Sequence, residues 1–322
     1  MRNFAVRLRH AVLGLLLLIP PAVSAQDTNI VFPIPLIEQR LETSSLEILD
    51  RRGSRKPEDR TQRVTIAFPD SMVMITKWAV VAPGGEDFNN SARHELAAYA
   101  IQKLFLEPDD YVVPPTVIRS FDLAYYRGID STATATFSRA PASTLVVLQY
   151  WLSNVSADSV FNLARFERDT AYARHLGNLN LLTHLIRHND ENTGNVLVSA
   201  NPANPRLFAV DNGLAFDHQQ SILGAAWREL RVPAVPAYTV AKLRKIRRED
   251  LDRVLAVVAE FRIDQEGRLV RMPNGPNLNR GQGIRIKDQR VQFGLTQLEI
   301  RGVEDRLNAL LKRIDSGRLM TF

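Results

Sequence analysis

The chain contains no cysteine. That single absence removes disulfide frameworks, thiolate zinc sites, iron–sulfur clusters, cysteine nucleophiles and lipidation at a cysteine. Glycine (16) and proline (17) are too sparse in 322 residues for collagen-like or low-complexity sequence. Past the N-terminus no run approaches the roughly 18 apolar residues of a membrane-spanning helix, so the mature chain is expected to be soluble. Three familiar signatures are missing as well: a Rossmann or kinase-type G-x-G-x-x-G, a Walker-A loop and a G-x-S-x-G elbow. His184 and His188 stand one helical turn apart, but Leu185 occupies the position where an H-E-x-x-H zinc protease needs glutamate.

What is present is ordinary globular usage, 45% hydrophobic and 24% charged, which excludes a largely disordered chain. The length suits two lobes. Arg2, Arg7 and Arg9, then an apolar stretch from Ala11 to Val23 broken by Pro20 and Pro21, then Val23-Ser24-Ala25, form the pattern of a cleaved secretory signal over residues 1–25, with an uncleaved N-terminal anchor as the alternative. Export to a periplasm or the exterior is expected. Removing that segment takes three Arg and no acid, leaving 38 basic residues against 35 acidic, a net of +3 instead of +6. Net charge therefore gives nucleic-acid binding no support. The run from Lys242 to Arg248 alternates basic and apolar residues and is followed by Glu249 and Asp250, as on the solvated face of a helix.

The first half reads mainly as strands. Val64, Ile66 and Phe68 alternate with Arg63, Thr65 and Ala67. Residues 69–71 supply a turn, and 72–81 a second, more apolar strand carrying Lys77. Pro83-Gly84-Gly85 breaks the chain, Asn89-Asn90-Ser91 offers helix caps, and 91–106 follows helical spacing with Arg93 and Glu95 on it. Another buried strand runs over 145–150. The second half reads mostly as helix: Tyr172, Leu176, Leu179, Leu182 and Ile186 form one stripe, and Ile300, Val303, Leu307, Leu310 and Ile314 another. Two short strands, 195–199 and 206–210, lie between. The pivot falls near Gln149 to Leu152. His94, His175 and His218 show no sequence partner and are read as structural or exposed, and Tyr99, Trp78, Trp151 and Trp227 as packing residues, with Trp151 alternatively lining a nucleotide cleft.

The chemistry concentrates in Arg187-His188-Asn189-Asp190-Glu191-Asn192-Thr193-Gly194-Asn195-Val196-Leu197, which ends a helix, crosses a polar loop and enters a strand. A hairpin later comes Asp211-Asn212-Gly213. Antiparallel pairing would bring Asn195, at the start of one strand, near Asp211 at the end of the other. Oxygen donors of this kind suit Mg²⁺ or Mn²⁺ with phosphate oxygens and water completing the shell. Asp190 is left to accept or orient a proton.

His188, Asp190 and Asn195 match the His-x-Asp-x-x-x-x-Asn spacing of the protein-kinase-like superfamily, and Asp211-Asn212-Gly213 stands at its Asp-x-Gly. The surroundings resemble its atypical branches: phosphatidylinositol 3/4-kinase-like proteins, HipA-type kinases and secretory-pathway casein kinases. The resemblance implies an α+β, bilobal fold, with a strand-rich N-lobe over 26–150 and a mostly helical C-lobe over 151–322. It implies Asp190 as catalytic carboxylate and Asn195 and Asp211 as metal ligands. Lys77 would hold nucleotide phosphate, steadied by Glu95; Gln149 and Tyr150 would form the hinge that meets an adenine edge. Arg52-Gly53-Ser54-Arg55 is the substitute for a phosphate-covering loop, Gly53 and Ser54 cradling phosphate. The expected activity is phosphate transfer from ATP or another nucleoside triphosphate, with Mg²⁺ or Mn²⁺, to a hydroxyl of a protein, lipid head group or sugar. The alternative is a kinase-like pseudoenzyme serving as a periplasmic binding or scaffold protein, since nucleotide is expected to be scarce outside the cytoplasm.

Overall fold

The structure, a computed structural model, describes residues 28–54, 61–87, 91–190, 194–216 and 225–322. The secretory-signal reading of 1–25 and His218 lie outside these residues. The fold is mixed α and β with several antiparallel sheets.

The front half opens with helix α1 (Ile34–Thr43) and strands β1 (Glu47–Gly53), β2 (Thr61–Ala67) and β3 (Val73–Val80). Helix α2 (Ala92–Gln102), strand β4 (Thr116–Asp122), the short α3 (Leu123–Arg127) and β5 (Ser143–Tyr150) follow. The five strands form one antiparallel sheet in the order β1-β2-β3-β5-β4. Alternation along β2 and β3 sends Val64, Ile66, Met74 and Trp78 into one core. Trp78 lies 5.1 Å from the Phe121 ring, and its indole N–H donates to Thr76 Oγ1 at 2.8 Å, so the buried polar atom is satisfied. Ser71, at φ 67, turns β2 into β3 as the sequence suggested.

The opposite face of this sheet positions the site. Ala79, Val147 and Ile118 lie directly across from one another on β3, β5 and β4 and therefore share a face. They pack in one cluster with Ala92 and Leu96 of α2, so α2 lies across this face. Ser91 precedes α2 without capping it: its hydroxyl donates to Glu86 at 3.1 Å.

The back half contains β6 (Val155–Ser156), α4 (Leu163–Phe166), α5 (Thr170–Ile186), β7 (Val196–Ser199) and β8 (Leu207–Ala209). Then come α6 (Ala225–Arg228), β9 (Ala234–Val235), α7 (Ala237–Leu243), α8 (Arg248–Leu255), β10 (Ala259–Ile263), β11 (Leu269–Met272), β12 (Ile284–Lys287), β13 (Arg290–Phe293), α9 (Gln297–Asp315) and β14 (Met320–Thr321). Helix α5 is the central rod. Asp169 caps it, accepting from Tyr172 N–H at 3.0 Å, and Tyr172, Leu176, Leu179, Leu182 and Ile186 are all fully buried.

One expectation needs correction. The last hundred residues are not simply helical, because β10–β13 form a four-stranded antiparallel sheet in the order β11-β10-β13-β12. Its apolar face, with Ala259, Phe261, Val291 and Phe293, packs against Phe137, Ile118 and Val147 of the front half and against Leu96 of α2. The basic run 242–248 also differs from a single helix face. It spans the end of α7, a turn and the start of α8, and pairs with acids: Lys242 with Glu107, Arg244 with Asp315, Arg248 with Asp252 and Glu304. Among the described residues no helix is long and apolar enough to cross a membrane.

Candidate functional site

Lys77 sits mid-strand in β3 on the face that α2 crosses, and this is why a lysine of the sheet meets a carboxylate of the helix. Its ammonium bonds the Asp211 carboxylate and lies 4.0 Å from Glu95 Oε1. Lys77 and Glu95 are largely enclosed, their side chains 18% and 11% exposed, whereas 46% of the Asp211 side chain remains open to solvent. Asp211 is thus bonded to a largely enclosed lysine while nearly half of its own side chain faces water. Burial pushes the Glu95 carboxyl up, opposed by the Lys77 ammonium; the same ammonium holds Asp211 below the ordinary aspartate range against its burial.

The backbone aims Asp211 deliberately. It follows β8 with φ 55, a left-handed conformation that Asp tolerates better than most L-residues. Strain of this kind clusters at functional sites. Two ties hold the turn: Val210 N–H donates to Asn195 C=O at 2.8 Å, and the Gly213 carbonyl lies 3.1 Å from His94 Nδ1. The predicted approach of Asn195 to the Asp211 strand is therefore present, since β7 and β8 pair antiparallel from Val196 against Ala209.

The loop leaving α5 is shaped by Arg187, whose φ of 49 closes the helix, and by His188, whose Nε2 donates to the Val210 carbonyl at 3.3 Å. His188 is buried, and burial drives its pKa down to about 4, so the ring is neutral and serves as a strut between this loop and the strand before Asp211. Asp190 is half-buried, and its carbonyl accepts from Asn195 Nδ2 at 2.9 Å. That bond commits the amide nitrogen and leaves Asn195 Oδ1 as the atom of cation-binding chemistry. Residues 191–193 of the loop lie outside the described residues.

The remaining assignments fare differently. Gln149 is directly across from Lys77, but its side-chain amide donates to Thr116 Oγ1 at 3.0 Å and is buried. Tyr150 N–H donates to the Pro115 carbonyl at 2.9 Å, its ring is buried, and its hydroxyl accepts from Val31 N–H at 3.4 Å. Trp151 N–H is likewise engaged, with Ile75 C=O at 2.9 Å, so the chain leaves the sheet only beyond Trp151. Gly53 and Ser54 are not a turn. Gly53 pairs with Gln62 and Ser54 N–H donates to Thr61 C=O at 3.1 Å, which places both at the end of the β1–β2 pairing, and residues 55–60 lie outside the described residues.

His94 is structural, as read, and the structure supplies the partners that the sequence did not show. The residue is fully buried between the Gly213 carbonyl and Glu299 Oε1, each at 3.1 Å, and Arg93 Nη1 grips the same Glu299 at 2.7 and 2.8 Å. Its adjacency to Glu95 was the only available signal.

Among the described residues no group of three or more His, Cys, Asp or Glu side chains is placed to hold a metal ion by itself. Two oxygen donors, Asn195 Oδ1 and the Asp211 carboxylate, fit a cation that takes most of its shell from phosphate and water, and the Lys77 ammonium already supplies positive charge at Asp211. A cavity of about 310 Å³ lies between α8, α9 and the 274–280 loop and contains none of these residues. The chain matches no protein-family model and no curated protein.

Proposed function

We propose that the protein is an exported, kinase-like phosphotransferase that uses a metal-bound nucleoside triphosphate to phosphorylate a hydroxyl acceptor. The observation that carries this reading is the meeting of Lys77, Glu95 and Asp211, from a strand, the helix after it and a turn over a hundred residues away. The order of elements supports it: a β1–β2 hairpin, a strand lysine, a helix glutamate, two further strands, then the loop with Asp190 and Asn195 and the Asp-Asn-Gly turn.

In this reading Lys77 exchanges its bond to Asp211 for phosphate oxygens, and Glu95 keeps the ammonium from drifting. Asp211 and Asn195 would hold a divalent cation, which would neutralise charge on the phosphates. Asp190 orients the acceptor hydroxyl and takes its proton as that oxygen bonds to the terminal phosphorus and the bond to the leaving phosphate oxygen breaks. Positioning and charge stabilisation supply most of such a rate gain.

The test is nucleotide-dependent thermal stabilisation in Mg²⁺ or Mn²⁺, with Asp211→Ala, followed by phosphate transfer with Asp190→Ala. Stabilisation that Asp211→Ala removes, together with transfer that Asp190→Ala abolishes, supports the reading. No stabilisation of the unmodified protein returns it to a binding or scaffold role.

A further inference from the structure

The cleft lacks a glycine-rich loop, yet the sheet that roofs it carries an uncommon row of side chains. Direct cross-strand pairing sets Arg52 opposite Arg63, Arg63 opposite Lys77, Lys77 opposite Gln149 and Gln149 opposite Thr116. Residues so paired project from the same face, with Cβ atoms about 5 Å apart. Three cations therefore stand side by side from the sheet edge to the site, on the face that α2 partly covers. Like charges directly opposite one another destabilise a sheet; Lys77 is offset by Asp211 and Glu95 and Arg52 by Asp50 at 3.3 Å, whereas Arg63 between them pairs with no acid among the described residues.

The middle cation has a second feature. The Arg63 guanidinium lies over the Trp151 ring, 5.0 Å from its centroid. Trp151 follows β5, and β3 separates β5 from β2, so the arginine side chain reaches across the Ile75 strand to get there. Trp151 is 38% exposed, unusual for an indole, and shares a face with Gln149 by alternation. An exposed cation–π contact is weaker than a charge-assisted bond to phosphate.

We propose that Arg63 is the phosphate-cradling group of this cleft, with Arg52 behind it, supplying by side-chain charge what a glycine-rich loop supplies through backbone N–H groups. Trp151 parks the guanidinium until a polyphosphate arrives and draws it off the ring. The inference rests on the phosphotransferase reading, since it takes the cleft beside Lys77 as the polyphosphate site. It replaces Gly53 and Ser54 as the phosphate contact with a residue one strand nearer Lys77.

Indole fluorescence and calorimetry test it on the full chain, using Mg-ATP, inorganic tripolyphosphate and adenosine as separate probes. Trp78 and Trp227 are buried, so a ligand-induced change belongs to Trp151 and is absent from Trp151→Phe. Mg-ATP and tripolyphosphate are expected to bind about tenfold or more weakly to Arg63→Gln, as loss of one charge-assisted contact implies, with Arg63→Lys in between and adenosine unaffected. Wild-type affinity of Arg63→Gln for both phosphate probes, with Lys77→Met weakened, overturns this inference and leaves the site reading standing. Failure of the unmodified protein to bind either phosphate probe overturns both.

Discussion

His94 Nδ1 and the carbonyl oxygen of Gly213 lie 3.1 Å apart, in a contact that ties the helix of Glu95 to the turn of Asp211. The other ring nitrogen faces Glu299, an acceptor too, so a single N–H of a neutral ring holds only one of the pair. Burial favours that neutral ring, while Glu299 favours the proton that keeps both contacts. Glu299 itself is held well below the ordinary glutamate range, against its burial, by bonds from His94 and Arg93, and its Oε2 accepts from Thr296 N–H at 2.7 Å to close the capping box of α9.

Glu299→Gln is therefore expected to loosen three elements together. It leaves Arg93, whose side chain is almost wholly buried and whose Nε pairs with Glu86, short of the counter-charge that Nη1 meets. Breaking a buried pair from one side costs about 3 kcal/mol or more. A fall in melting temperature of roughly 6–10 °C follows for a chain of this size. Differential scanning fluorimetry reads it, and a midpoint unchanged within a degree contradicts the network.

Lys77→Met removes the one cation between Glu95 and Asp211 that the described residues show. Two carboxylates then face each other across a partly closed site, and a divalent ion becomes the natural replacement for the missing charge. Millimolar Mg²⁺ without nucleotide is expected to raise the melting temperature of Lys77→Met more than that of the unmodified protein. Adding Asp211→Asn should erase the difference. Equal responses to Mg²⁺ in all three proteins would remove Asp211 as a cation ligand.

The hairpin carrying Lys77, the α2 segment with Glu95 and the loop from His188 to Asn195 were legible because each rests on local signals: alternation, helical spacing, turn residues and a fixed motif spacing. The sheet β10–β13 was not, although Ala259, Phe261 and Ile263 do alternate with Glu260 and Arg262. Its tightest turn, Asp288-Gln289, adopts φ values of 48 and 60 without a glycine, so the usual mark of a two-residue hairpin is absent. Glu260 hides the strand further, being a buried acid bonded to Arg290, Gln292 and Gly275 N–H, contacts up to 32 residues away. The Glu299 partner of His94 was unreadable for the same reason on a larger scale, lying 205 positions off. The end of β5 was not legible either, because only the Pro115 and Ile75 carbonyls, which accept from Tyr150 and Trp151 N–H, show where the strand stops.

Gly294 joins that sheet to α9, and no left-handed conformation explains it. A Cβ there would stand 2.0 Å from the Ala256 carbonyl oxygen and 2.6 Å from its carbon, both backbone atoms at the end of α8. The neighbour cannot rotate away, so Gly294→Ala must separate β13 from α8 and disturb Arg285, which donates to the Ala256 and Leu295 carbonyls. Overpacking of this kind costs about 3 kcal/mol. Urea unfolding should show the midpoint drop with Gly294→Ala and stay within error for Gly53→Ala, whose added Cβ meets nothing within 4 Å.

His175 predicts the acid limb of stability. The ring is buried in α5, and burial, with Arg174 and Arg206 nearby, lowers its pKa from 6.5 to about 3. In the folded chain it stays neutral over that interval, while in the unfolded chain it takes a proton below 6.5. The unfolded state then binds more protons, so this contribution is complete above pH 6.5 and is lost as pH falls toward 3. Asp110, 3.4 Å from His175 Nδ1, is raised by its own burial and acts in the opposite sense, gaining a proton in the folded state as pH falls. His175→Gln cannot titrate, so the dependence of unfolding free energy on pH between 6.5 and 4 should be flatter by close to one proton than in the unmodified protein. Asp110→Asn alone should steepen it. Chemical denaturation at half-unit pH steps measures both slopes, and parallel curves for His175→Gln and the unmodified chain would mean that the folded state leaves this ring free to protonate.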